Sequence, residues 1–176
     1  QESSMQPVGL DWIESLPIHW KAVRVKRVLA AMDYGISVST NDEGRFPVLK
    51  MGHIQNGEIE YAKLDYVDDV PETLLLEEND VLYNRTNSPE LVGKAAVYRG
   101  VPAPCSYASY LIRVRLDSAC LPDWLCYYLS SPAGRLWAKS VVSQQVGQAN
   151  INGTKLKALA LPLPAIELQA EIVRIT

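Results

Sequence analysis

The sequence predicts an α+β fold in which short strands come first and helices follow. Three observations indicate this class. Segments of β composition fill most of residues 21–116, and the apolar period changes to that of a helix from Leu121 onwards. The chain has 176 residues with 48% apolar content, which is enough to fill one core. One compact domain is therefore expected.

The first two thirds of the chain carry the predicted strands. KAVRV at 21–25 has strand composition, and Asn56-Gly57 is a turn signal between FPVLKMGHI and EIEYAKLDYV. Three further strands are predicted in DVLYNRT, GKAAVYR and YASYLIRVRL. The last of them alternates Ile112 and Val114 with Arg113 and Arg115, which predicts one apolar and one polar face. Two short helices are predicted between the strands, KRVLAAMD and PETLLLEEND.

The last third of the chain carries the predicted helices. An apolar stripe at helical spacing consists of Leu121, Trp124, Leu125, Tyr128 and Leu129. Ser131-Pro132 predicts the capped start of a second helix. A polar loop, SQQVGQANIN, then precedes a short helix from about Asn152. The final helix, AIELQAEIVRIT, stops after three turns of its apolar stripe, so the sequence is expected to be a fragment of a longer protein.

Charge is distributed unevenly along the chain, although the net charge is only -3. Residues 41–80 hold eleven acidic and three basic residues, a local net of -8. Residues 81–116 hold five basic residues and one acidic residue, a net of +4, and residues 124–166 hold four basic residues and no acidic one. One basic surface opposite an acidic one would suit a polyanion such as DNA. Ordinary scatter of surface charge is the alternative.

Common catalytic and cofactor motifs are absent from the sequence. It contains no G-x-G-x-x-G, no G-x-x-x-x-G-K-[ST], no H-E-x-x-H and no (D/E)-x-K. His19 and His53 are interpreted as structural, and so is Cys105, which has no evident histidine partner. The cysteine pattern predicts neither disulfides nor a zinc site, and no membrane span or signal peptide is evident. A cytoplasmic protein without cofactors and without enzymatic activity is expected.

Several phrases of the sequence occur in the order found in one known family. They are VGLDWIESLPIHWKAVRVKRV, then YGIS with FPVLKMGHIQNGEI, then DVLYNRTNSPELVGKAAV, and finally LSSPAGR, GQANIN and LKALALPLPAIELQAEIV. In this order they resemble the specificity subunits of type I restriction-modification systems. The resemblance covers nearly the whole chain, but the sequence has only one recognition domain and a truncated conserved helix.

The resemblance implies a target recognition domain over residues 1–161 and the start of a conserved spacer helix over 162–176. The implied fold is an irregular, wrapped mixed β-sheet with short helices packed at one side. The implied function is to recognise one half of a bipartite DNA sequence. The implied partners are double-stranded DNA, a methyltransferase subunit that uses S-adenosylmethionine, and a second recognition domain or helix that packs on the C-terminal helix. Neither S-adenosylmethionine nor the ATP of the motor subunit is expected to bind this chain.

The segment NRTNSPELVGK is the first candidate DNA-binding loop. Arginine can contact guanine or phosphate, asparagine can pair with adenine, and hydroxyl groups suit either phosphate or base edges. The candidate residues are Asn84, Arg85, Thr86, Asn87, Ser88 and Lys94. The structural alternative is that Arg85 pairs with Glu90 and that Asn87-Ser88-Pro89 only forms a turn.

Two other polar loops are candidates for the same surface. In SQQVGQANIN and the helix after it, the candidates are Gln144, Gln145, Gln148, Asn150 and Lys155, near helix N–H groups that could hold a phosphate. Asn150 or Asn152 could equally be only the helix cap. In DYGISVSTN, the candidates are Gly35 for close approach and Ser37 and Ser39 as donors, and a plain surface loop is the alternative.

A binding module of a different class also fits the sequence. The acidic segment 41–80 could bind a basic protein partner without any contact to DNA. A continuous basic concavity that contains Arg85 and Gln148 would favour DNA recognition. Scattered basic residues would favour the protein-binding alternative.

Overall fold

The computed structural model describes residues 4–10, 12–145 and 147–176, with only the backbone described for Gln144 and Gln145. The strands are β1 (Met5–Leu10), β2 (Ile13–Pro17), β3 (Lys21–Arg24), β4 (Leu29–Tyr34), β5 (Phe46–Leu49), β6 (Ile54–Gln55), β7 (Glu58–Ile59), β8 (Asp65–Val67), β9 (Val81–Asn84), β10 (Thr86–Asn87), β11 (Ala95–Val97), β12 (Ser106–Tyr107), β13 (Leu111–Leu116), β14 (Ser143–Gln145), β15 (Gln148–Asn150) and β16 (Ala160–Leu163). The helices are α1 (Pro122–Ser130), α2 (Pro132–Val141), α3 (Gly153–Ala158) and α4 (Ile166–Ile175). Strands followed by helices confirm the predicted α+β class.

A four-stranded antiparallel sheet lies at the centre of the fold, in the order β11-β9-β13-β4. Smaller sheets surround it, and one of them contains a parallel pair, β12 with β5. One residue, Arg85, separates the end of β9 from the start of β10. It therefore links the central sheet to the sheet β10-β15-β14. The sheets are therefore mixed and irregular, as predicted.

Both faces of the central sheet are buried. Val81, Tyr83, Ile112 and Val114 pack into the larger core with α1 and α2, whereas the alternate residues Leu82 and Leu111 pack into a second core. Because successive strand residues point to opposite faces, apolar side chains at both alternate positions of β9 and β13 are buried when both faces are covered. Fully burying each such side chain contributes about 1.5 to 3 kcal/mol.

The apolar stripe and the caps of the helices are confirmed. Trp124, Leu125, Tyr128 and Leu129 are buried on α1. Ser131 caps α2, where its hydroxyl accepts from the backbone N–H of Gly134 at 3.2 Å. The α1 and α2 helices thus follow from local signals alone.

Three secondary-structure predictions were wrong or incomplete. KRVLAAMD forms a 3₁₀ turn and then strand β4, because its backbone pairs with β13 in the central sheet. PETLLLEEND contains only a 3₁₀ turn at Glu72–Leu74. The polar loop 143–152 contains the hairpin strands β14 and β15. The predicted domain boundary between residues 161 and 162 falls within β16.

Candidate nucleic-acid interface

Arg85 is held by its backbone at the junction of the two sheets. Its N–H donates to the carbonyl of Tyr110 at 3.1 Å, and its carbonyl accepts from the N–H of Ile151 at 2.8 Å. On one side of it, β9 belongs to the rigid central sheet, and on the other side Thr86 pairs with Asn150 of β15. The position of the Arg85 side chain is therefore set by three separate segments of the chain.

The guanidinium of Arg85 is held by three acceptors. Its Nε donates to the carbonyl of Ser109 at 2.7 Å, and its Nη1 donates to Thr86 Oγ1 at 3.2 Å and to Asn150 Oδ1 at 3.0 Å. Its Cζ lies 4.8 Å from the centre of the Tyr34 ring, a cation–π contact. The alternative pairing of Arg85 with Glu90 is not what holds it, since all of these partners are neutral.

An open depression of about 240 Å³ lies beside this guanidinium. It is lined by Arg85, Thr86, Tyr110, Ser143, Gln148 and Asn150. None of these six residues is acidic. Arg85 and Gln148 therefore lie in one concavity, of which Arg85 is the basic lining residue.

Lys155 adds a second positive charge at the edge of this depression. Its ammonium donates to the carbonyl of Val141 and to Ser143 Oγ, the latter at 2.7 Å. Both acceptors are neutral, so the charge of Lys155 is not cancelled by a carboxylate. The cationic groups at this site are fixed by hydrogen bonds rather than by ion pairs.

Two predicted site residues in the first loop are buried. Asn84 is 1% exposed and Thr86 is 6% exposed. The Thr86 hydroxyl also donates to Asn150 Oδ1 at 2.8 Å, so it supports Arg85 from within the protein. Burial argues against direct base contacts from either side chain.

The remaining residues of the first loop form a turn, as the structural alternative expected. The N–H groups of Leu91 and Val92 both donate to the carbonyl of Ser88 at 3.0 Å, and the N–H of Ser88 donates to Asn87 Oδ1 at 2.8 Å. Asn84, Asn87 and Lys94 line a separate cavity of about 250 Å³. Loop 84–94 therefore presents two polar sites.

The loop after β4 lies next to the support of Arg85. A Cβ built on Gly35 would be 2.3 Å from the carbonyl oxygens of Tyr107 and Ala108, so Gly35 allows close approach of protein backbone, not of DNA. The carbonyl of Ile36 accepts from the N–H of Ser109 at 2.9 Å. Ser37 and Ser39 are exposed on this loop.

Two N–H groups at the start of α3, those of Gly153 and Lys155, are already occupied. Asn152 caps the helix by accepting from the N–H of Lys155 at 2.9 Å, and the N–H of Gly153 donates to the hydroxyl of Tyr34 at 2.7 Å. The expectation that free N–H groups here could hold a phosphate was therefore wrong for both residues. Asn152 rather than Asn150 is the helix cap.

The count of basic residues by segment of the sequence overstated how many basic side chains are available at the surface. Arg113 is 2% exposed and pairs with Asp33, and Arg99 pairs with Asp123 at 2.6 Å. Arg115 lies 2.8 Å from Asp80, which is itself 1% exposed. Among residues 81–116, Arg85 and Lys94 are the basic residues with no carboxylate partner in the described part of the chain.

Sequence reasoning missed the two tyrosines of the site. The ring of Tyr34 makes the cation–π contact with Arg85 and is 44% exposed. Tyr110 lines the depression and is 46% exposed. Exposed aromatic rings beside a cation are a common surface for bases and sugars. Tyr34 directly follows the segment KRVLAAMD, which was predicted to be a helix, whereas it is the last residue of strand β4.

The described residues also lack the features of a metal site and of a membrane-spanning helix. In the described ranges, no three His, Cys, Asp or Glu side chains cluster in a way that could hold a metal ion. None of the described helices is long and apolar enough to cross a membrane. Burial raises the pKa of the Cys105 and Cys120 thiols to about 12, so neither is a nucleophilic thiolate at neutral pH.

A family model described as "Type I restriction modification DNA specificity domain" matches residues 17–176. The chain belongs to this family. The specificity domain is 29% identical over 169 residues to the putative type I restriction enzyme MjaX specificity subunit of Methanocaldococcus jannaschii, covering 93% of this chain and 40% of that protein. It is 28% identical over 171 residues to the EcoKI specificity subunit of Escherichia coli, covering 93% of this chain and 37% of that protein.

The fold of the specificity domain also matches a solved structure. The crystal structure of the HsdS subunit from Thermoanaerobacter tengcongensis superposes with a TM-score of 0.68 at 22% identity, covering 97% of this chain and 39% of that one. The chain thus spans about 40% of the length of the relatives that it matches. This family membership confirms the resemblance seen in the sequence.

Proposed function

We propose that this specificity domain recognises one half of a bipartite DNA target for a type I restriction-modification complex. The observation that carries the proposal is the acid-free depression in which Arg85, Gln148 and Asn150 lie together. Phosphate contacts need fixed positive charge, and base recognition needs amide and hydroxyl groups that reach a groove. Family membership supports DNA as the ligand.

The proposal also covers the partner subunits and the step that each subunit performs. Methyl transfer and cleavage belong to partner subunits in the cytoplasm, and this chain supplies recognition without S-adenosylmethionine or ATP. Within residues 162–176, α4 (Ile166–Ile175) is the start of a spacer helix that packs on a second recognition domain. Exposed Ile175 at the end of α4 supports such a contact.

A binding selection tests the proposal directly. A type I complex that carries this domain is incubated with randomised duplex DNA, and the bound fraction is sequenced. We expect enrichment of one short half-site that changes when this domain is exchanged for another. Enrichment that does not depend on this domain would refute the proposal.

We predict that the 176-residue chain alone binds duplex DNA weakly, with a Kd of roughly 10⁻⁴ to 10⁻⁶ M at physiological salt. The few cations of one depression neutralise few phosphates, and a second domain would raise the affinity through effective concentration. Titration at two salt concentrations, with sedimentation to monitor self-association through α4, measures this. Nanomolar, sequence-selective binding by a monomer would contradict the prediction.

A further inference from the structure

The hydrogen bonds around Arg85 limit which DNA groups it can contact. Its Nε donates to the carbonyl of Ser109, and its Nη1 donates to both Thr86 and Asn150. Both hydrogens of Nη2 have no partner among the described residues. A bidentate contact to guanine O6 and N7 uses two neighbouring nitrogens of the guanidinium. Among the described residues Nη2 has no protein partner, so a bidentate contact by Arg85 would have to share Nη1 with Thr86 and Asn150.

Asn150 is limited in a similar way. Arginine can only donate, so the Asn150 atom that faces Arg85 Nη1 is the carbonyl oxygen, and this oxygen also accepts from Thr86. An asparagine that pairs with adenine must accept from N6 and donate to N7. With its oxygen occupied twice, Asn150 has the N–H groups of Nδ2 left to offer.

The ammonium of Lys155 completes a set of donors. Two of its N–H groups are used by Val141 and Ser143, which leaves one. Arg85, Asn150 and Lys155 thus carry unused donors, two of the three side chains are cationic, and no acidic residue lines the depression. Groups of this kind match a ligand that is anionic and only accepts hydrogen bonds.

On the basis of the proposed DNA recognition, we infer that the Arg85 depression binds a backbone phosphate of the target and does not recognise a base. Arg85 and Asn150 then fix the register of the domain on the duplex. Sequence recognition falls to exposed side chains around the depression, first of all Gln148 on β15, whose amide is exposed. Arg85 becomes a positioning residue whose effect on affinity is the same for every sequence.

Chemically modified DNA tests this inference. Single methylphosphonates, which remove one phosphate charge, are placed along the duplex recovered by the selection, and 7-deazaguanine replaces each guanine in a second series. Affinities are measured for the complex with the wild-type domain and with Arg85→Ala. We expect one methylphosphonate position to weaken the wild type and to have no effect on Arg85→Ala. Coupling of Arg85 to a 7-deazaguanine instead would overturn the inference and leave DNA recognition standing.

Salt dependence and specificity give a second readout. Arg85→Ala should weaken the selected duplex and a scrambled duplex by the same factor and lower the salt slope by about 0.9. Arg85→Lys keeps the charge and should keep the slope, which guards against a folding defect in Arg85→Ala. Arg45→Ala, the same change within the acidic segment, is the matched control. A wild-type domain that prefers neither duplex would refute the proposed function itself, whereas a collapse of the preference in Arg85→Ala alone would refute only the phosphate assignment.

Discussion

Arg85, at the junction of two sheets, and Arg113, on β13 of the central sheet, have similar surroundings, yet one is a candidate for binding and the other is structural. Each guanidinium lies near a tyrosine ring, at 4.8 Å for Arg85 with Tyr34 and 5.9 Å for Arg113 with Tyr107. Each also donates to backbone carbonyls. Arg113, however, pairs with the carboxylate of Asp33 and is 2% exposed.

The difference comes from two consecutive residues of β4. Asp33 is opposite Arg113 and Tyr34 is opposite Ile112 in the sheet register, so successive side chains of β4 reach the two sites from opposite faces. The carboxylate neutralises Arg113, whereas the phenol ring orients Arg85 without removing its charge. A step of one residue along a strand therefore separates a structural cation from one that remains available.

The largest expected effect is the loss of protein stability when Arg113 is replaced. Arg113→Ala should lower the free energy of unfolding by about 3 kcal/mol, because the carbonyls of Thr73 and Leu75 lose their donor and Asp33 loses its partner. Urea titration measures the change, with Arg45→Ala as the exposed control. A loss as small as that of Arg45→Ala would contradict the structural role of Arg113 and its difference from Arg85.

The next largest effect comes from a substitution that gives Arg85 a carboxylate partner, as Arg113 has. Gln148→Glu introduces a carboxylate into the depression, where it can pair with Arg85 and repel phosphate. DNA affinity should fall by about 1 to 3 kcal/mol on all sequences, while stability stays within about 0.5 kcal/mol. Fluorescence anisotropy titration measures the affinity. Gln148→Met, which has similar size and no charge, should lose selectivity while keeping binding to scrambled DNA, and equal behaviour of the two variants would contradict the electrostatic account.

The smallest effect separates the two roles of Tyr34. Tyr34→Phe removes the acceptor of the Gly153 N–H but keeps the ring beneath Arg85, so it should lower stability by about 1 kcal/mol and leave DNA affinity unchanged. Tyr34→Leu removes the ring as well and should also weaken DNA binding. Thermal unfolding and DNA titration of both variants test this, and the ring has no role if the two variants bind DNA equally.

Local signals in the sequence were sufficient for α1 and α2, where the apolar stripe and the Ser131 cap lie within a few residues of each other. They were insufficient for β4, whose strand conformation depends on pairing with β13, about 80 residues later, and the short β14–β15 hairpin was taken for a loop. The N-terminal hairpin of β1 and β2 was not predicted either. The conformation of β4 is thus set by a distant partner strand, which single-sequence patterns do not capture, whereas the two missed hairpins pair locally.

The candidate site was predictable as a region but not residue by residue. The phrase around Arg85 and the polar segment around Gln148 were both identified in the sequence, and they meet across β10 and β15. The alternation of Arg113 and Arg115 predicted a polar face, which a sheet covered on both sides does not have. Whether an arginine is free or paired depends on Asp33, Asp80 and Asp123, which are distant in sequence.

The contact of Gly35 with the carbonyls of Tyr107 and Ala108 has a consequence for redesign. Any side chain at this position would displace segment 107–109, and with it the Ser109 carbonyl that holds Arg85 Nε. Exposed Ser37, Ser39 and Gln148 have no such constraint. A library intended to change the target of this domain can therefore vary those three positions freely, provided that Gly35 is kept as glycine.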